Sequence, residues 1–154
     1  MIVLYAGMVL TLFGCANKGP NELSEITSVS YSYSNMDNSR SCSFWLREEN
    51  GEVLYDGLWY DEITGEKIEL VEMTASKGDI KAFEKLSEEH DFPKFLRKNK
   101  PKRKLMKVTD EAMYGFCVCW SDGTMLSTNR HGEFYDELKS LFVEIGKRLS
   151  EGGL

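Results

Sequence analysis

The sequence predicts an α+β fold: an antiparallel meander sheet in the element order ββββ-α-ββ-α, with two helices packed on one face. Three observations carry this expectation. Polar and apolar residues alternate through several short segments between residues 26 and 73. Asn50-Gly51 and Thr64-Gly65 stand between those segments as tight-turn signals. The stretch from Glu133 to about Leu149 repeats apolar residues at helical spacing.

The elements follow in order. In residues 26–34, Thr27, Val29, Tyr31 and Tyr33 share one strand face and four serines share the other, with Ile26 out of phase. MDNSR reads as a turn or short loop, and CSFWLRE (42–48) as a second strand with Cys42, Phe44 and Leu46 on one face. EVLYDGLWYD (52–61) makes a third strand, bent or bulged near Gly57. KIELVEM (67–73) makes a fourth, so three consecutive hairpins form a meander whose sheet can leave one face wet. Ser76 and Asp79 resemble a capping box, and Ile80, Phe83 and Leu86 continue a helix that ends near His90, before Asp91-Phe92-Pro93. YGFCVCW and TMLSTN bracket Ser121-Asp122-Gly123 as a second hairpin. A closing helix carries Phe134, Leu138, Leu141, Phe142, Ile145 and Leu149 as one apolar stripe.

A chain of 154 residues suits one domain. Apolar residues at 42% with 12% aromatics argue against global disorder, and a formal charge of −6 gives no general reason to bind nucleic acid. The first fourteen residues carry no charged side chain, and the segment runs straight into Gly14, Cys15, Ala16, Asn17, Gly19 and Pro20. That length suits a signal h-region and is too short for a full membrane span. The expected organisation is a leader over 1–14, a linker over 15–25 and a single α+β domain over 26–150. The competing expectation is a buried N-terminal strand or short helix with an ordinary apolar cysteine.

Leu12-Phe13-Gly14-Cys15 resembles the lipobox of bacterial lipoproteins. The resemblance implies cleavage before Cys15 and a diacylglycerol on its sulfur, hence a domain tethered to the cell membrane on the extracytoplasmic side. Two or more acyl chains would make that attachment stable. The alternating SVSYSYSN start, the DGTMLSTN hairpin and the final helix also resemble small domains carried by lipoproteins of gut-dwelling bacteria. That second resemblance implies no function.

Few residues suggest chemistry. Residues 93–107 hold eight Lys or Arg and no acid, so the remainder of the chain carries −14 within a total of −6. Lys98, Lys100, Lys102, Arg103 and Lys104 are therefore candidates for contact with an anionic envelope surface, against the plainer reading of a solvated loop. Cys117 and Cys119 lie two apart on a strand and face the same way, where a mutual disulfide would fight the extended backbone. Either is a candidate disulfide partner for Cys42 if the strands are neighbours; reduced, buried thiols are the alternative. Spacing gives no support for zinc on these cysteines with His90 or His131, or for a cysteine nucleophile beside His131.

No phosphate-cradling glycine loop, HExxH or GxSxG is present, and no cofactor is expected. Trp45, Trp59, Tyr31, Tyr33 and Tyr55 form a candidate aromatic platform if the second sheet face is uncovered. The functional expectation is a non-enzymatic, membrane-tethered domain that binds a protein or glycan outside the cytoplasm. The alternatives are a small hydrolase with a non-contiguous site and a structural or assembly protein.

Overall fold

The computed structural model describes residues 19–35, 40–101 and 112–152. The leader over 1–14, Cys15, Lys102, Arg103 and Lys104 lie outside the described residues. Six strands form one antiparallel sheet: β1 (Ile26–Ser34), β2 (Cys42–Glu49), β3 (Glu52–Tyr60), β4 (Lys67–Ala75), β5 (Met113–Trp120) and β6 (Met125–Thr128). Their spatial order is β4-β3-β2-β1-β5-β6. Each of the first four strands pairs with its sequence neighbour, which makes the meander. The β5–β6 hairpin then adds to the free edge of β1.

Alternation explains the burial. Val29, Tyr31, Phe44, Leu46, Val53, Tyr55, Phe116 and Val118 all turn to one face and are buried there. Ile26 is buried as well, although it breaks the alternation of β1. The β1–β5 register shifts between Ile26 and Ser28, and that irregularity rotates Ile26 back into the core. A second shift lies opposite the Tyr55–Gly57 segment, where β4 spends an extra residue and Glu72 takes φ 50°. The irregularity expected near Gly57 is there, with its extra residue on the partner strand.

The helix count corrects the sequence expectation. Three helices, not two, are present among the described residues: α1 (Lys77–His90), α2 (Phe92–Lys98) and α3 (Tyr135–Ser150). The order is therefore ββββ-αα-ββ-α. Asp91-Phe92-Pro93 was expected only to end a helix, but it also starts the next. Asp91 sits in the left-handed region (φ 47°) as the C-cap of α1, while its side chain accepts a hydrogen bond from Lys94 N at 3.1 Å. Proline fits the first turn of a helix, where its missing N–H costs nothing. Phe92 and Leu96 then bury completely, so the first part of the basic run is a folded helix.

All three helices contribute to one core on one side of the sheet. Phe44 stacks on Phe142 of α3 with ring centroids 5.1 Å apart, and Phe92 of α2 meets Phe116 of β5 at 5.0 Å. The expected capping box opens α1, with Ser76 N donating to Asp79 Oδ2 at 2.8 Å. Arg148 near the end of α3 reaches the same Asp79 at 2.6 Å, joining two helix termini.

The stretch expected as a linker is partly docked. Asn21 N donates to Asp122 Oδ2 at 2.9 Å, and Glu25 and Ser121 exchange two hydrogen bonds at 3.0 and 2.8 Å. Residues 21–25 thus lie along the β5–β6 turn. No helix among the described residues is long and apolar enough to cross a membrane.

Candidate functional site

With all three helices on one side, no described helix covers the opposite sheet face, and strand register states which side chains share it. One row across the sheet runs Asp56, Trp45, Ser30, Cys117, Ser127. The next runs Leu54, Arg47, Ser28, Cys119, Met125. Ser43, Ser32 and Gly115 form a third row beside them. The serine alternation of β1 therefore becomes a line of hydroxyls down the middle of the open face.

Trp45 is the aromatic side chain of these rows and remains 45% exposed. Its indole N–H donates to Ser28 Oγ at 2.9 Å, and the Arg47 guanidinium lies 4.0 Å from its ring centroid. Such a cation–π contact stabilises by about 0.5–1 kcal/mol at a partly exposed site. Arg47 is itself buried and paired with Asp56 and with Glu49, the latter at 3.2 Å. Asp56 also accepts Glu72 N at 2.7 Å, so one carboxylate holds both the guanidinium and the strained residue of the β4 bulge. The Trp45 ring is thus fixed in place before any ligand arrives.

A trough of about 430 Å³ opens on the side of Trp45 toward Ser43, away from Arg47. Ser30, Ser32, Ser43 and Ser127 bring hydroxyls to it, and Cys117 reaches its edge. Gly115 keeps the floor low, because a Cβ there would stand 2.6 Å from Ser32 Oγ. Among the described residues the ionisable side chain that this lining presents is the Cys117 thiol, because Tyr31 turns its phenol to the helix-covered core. Burial pushes the Tyr31 phenol well above its ordinary range, which keeps it neutral.

Cys117 and Cys119 both lie on this open face. The Cys117 thiol, and to a lesser extent the Ser28 hydroxyl, favour the Cys119 thiolate and pull that thiol below its ordinary range, against the opposing effect of burial. Cys117 is pushed up. Ser28 therefore links the indole of Trp45 to the Cys119 sulfur.

The other sequence candidates fall elsewhere. Tyr31, Tyr55 and Trp59 belong to the helix-covered core, and Tyr33 is half-buried against Tyr114 at 5.3 Å. The five-residue platform is therefore reduced to Trp45. Period-two alternation sorted these residues by strand but could not say which face the helices would take. Cys42 is buried on the helix side with its thiol pushed up by burial, and β1 lies between its strand and β5. All three described cysteines are free, and the candidate Cys42 disulfide would have to cross the sheet. His131 packs on Tyr114 and Tyr135, so no cysteine–histidine pair forms with Cys117 or Cys119. Lys98 and Lys100 are exposed at and just beyond the end of α2.

Two further features were not foreseen. Glu89, His90 and Glu137 bring ligand atoms within 4.8 Å of one another, with His90 Nε2 3.1 Å from Glu137 and the imidazole stacked on Phe134. A hollow of about 530 Å³ lies between the β3–β4 turn and α3, over Trp59, whose buried indole N–H has no hydrogen-bond partner among the described residues. Its rim mixes charges of both signs, Glu62 with Lys139 at 3.7 Å among them. Both depend on chain segments far apart in sequence, which is why no spacing announced them. No family model, curated protein or solved structure matches this chain.

Proposed function

We propose that this domain is a glycan-binding module held at the outer side of a bacterial membrane by a lipid on Cys15. The observation that supports binding is the trough, where the fixed Trp45 ring stands beside four serine hydroxyls on an uncovered sheet face. A sugar ring presents C–H groups to an aromatic face and hydroxyls to its surroundings. Each serine both donates and accepts, so the lining matches hydroxyl chemistry of either sense. Because Ser28 and Arg47 already hold the indole, little side-chain freedom is lost on binding. The anchoring half of the proposal rests on the LTLFGC segment at residues 10–15.

The test of binding is a titration of the full chain with neutral oligosaccharides, following tryptophan emission and the Trp45 indole N–H resonance. A saturable change that disappears in Trp45→Ala and weakens in Ser30→Val is expected. A flat response across neutral and cell-wall glycans would overturn this half. Intact-mass measurement on the native membrane fraction tests the anchor. Residues 15–154 plus a diacylglyceryl group are expected; an unmodified chain beginning at Met1 would refute it.

A further inference from the structure

The open face carries three sulfur side chains in one place, and two of them have no role in the trough. Cys117 and Cys119 alternate along β5 and so project from the same side of the sheet. Met125 on β6 is the registered partner of Cys119 and projects from that side as well. It is 60% exposed, so packing against the core does not account for it.

We propose that Cys117, Cys119 and Met125 form a binding site for a soft monovalent metal ion, copper(I) in particular. Three geometric points carry this. First, residues two apart on a strand are separated by roughly 6.6 Å along its axis. A direct disulfide needs Cβ atoms only about 3.5–4.5 Å apart and would distort the strand. A sulfur–metal–sulfur bridge has two bonds of roughly 2.3 Å each and spans the gap without moving the backbone.

Second, directly opposed residues on antiparallel strands hold their Cβ atoms about 4.5–5.5 Å apart. The three rotatable bonds of methionine let its thioether swing from that distance onto an ion between the cysteines. Third, the neighbouring positions in these two rows are Ser28, Ser30 and Ser127, and among the described residues no histidine or carboxylate is in register beside the thiols. Zinc prefers four ligands that include thiolate, imidazole or carboxylate, whereas two thiolates with a thioether select copper(I). Binding is coordination without electron transfer: the ion forms two metal–thiolate bonds and one thioether bond, and two thiol protons pass to solvent. None of this depends on glycan binding or on the lipid anchor.

The test uses the full chain carrying Cys15→Ser and Cys42→Ser, reduced and kept anaerobic, so that only the two strand cysteines remain. Copper(I) is supplied as its complex with a coloured chelator. One equivalent is expected to leave the chelator, giving an X-ray absorption spectrum with a sulfur-only shell. Adding Cys117→Ser and Cys119→Ser should abolish uptake, and Met125→Leu should release the ion at lower chelator concentration. As a check that needs no further substitution, one equivalent of copper(I) should protect Cys117 and Cys119 of the native sequence from alkylation. Unchanged chelator colour, uptake that survives loss of both cysteines, or a shell containing nitrogen or oxygen would overturn the proposal.

Discussion

The Tyr55 hydroxyl donates a 2.8 Å hydrogen bond to the carbonyl of Phe142, linking β3 to the middle of α3 across 87 residues of chain. Tyr55 is fully buried, and Gly57, two residues along the same strand, leaves room for its ring. The bond satisfies a phenol that would otherwise be stranded in the core. Tyr55→Phe removes the donor and the acceptor keeps its helical partner, so the expected loss is about 1 kcal/mol. Urea unfolding measures it; an unchanged midpoint would show that the bond contributes nothing net.

Gly146 is where α3 comes closest to the sheet. A Cβ there would stand 2.6 Å from both the Trp59 ring and the Tyr55 hydroxyl. Alanine favours a helix over glycine by about 1 kcal/mol, yet overpacking costs about 1–3 kcal/mol. Gly146→Ala is therefore expected to destabilise, by urea or thermal unfolding. A stabilised variant would mean that α3 slides outward freely.

Asp56 performs two tasks that substitution can separate. Asp56→Asn keeps an oxygen for Glu72 N and loses the charge facing Arg47, while Asp56→Ala loses both. The alanine variant should be the less stable, with a loss of about 1–3 kcal/mol. Equal losses would assign the whole effect to the ion pair. Glu72→Gly relieves the positive φ and should stabilise by about 0.5–1 kcal/mol in the same measurement, and a destabilised variant would contradict the strain.

Asp122 predicts a pH dependence. The amide of Asn21 and then that of Thr124 hold its carboxyl down to about 2, below the ordinary 3.8. The folded value is the lower one, so this tie supports the fold above about pH 4 and is lost as pH falls from there through about 2. Asp122→Ala should expose the Asn21 amide to rapid hydrogen exchange at neutral pH. A carboxyl resonance titrating at the ordinary value would contradict the tie.

The strands were legible because a half-buried sheet writes period two into its residues, and the Asn50-Gly51 turn needs the positive φ seen at both positions. The long helices were legible from the Ser76–Asp79 cap and from the apolar stripe of α3. The short α2 was not, because Asp91 serves two helices at once and its proline reads locally as a stop. The uncovered face was visible only as serines alternating with aromatics. Trp45 shares with Trp59 and Tyr55 a residue type and a neighbourhood, and nothing local distinguishes the ring that stays outside.

Local periodicity and turn chemistry in the sequence alone determined the strands, the meander and the amphipathic last helix, since each depends on neighbours a few residues away. Only the tertiary structure decided which sheet face the helices cover, that β5 returns to β1, and that residues 21–25 dock on the Asp122 turn. It also decided that Trp45, the serines, the two strand cysteines and Met125 share one open surface. Those relationships join residues about 20 to 100 positions apart. They are chosen by how large apolar side chains pack together, and no short window of sequence records that choice.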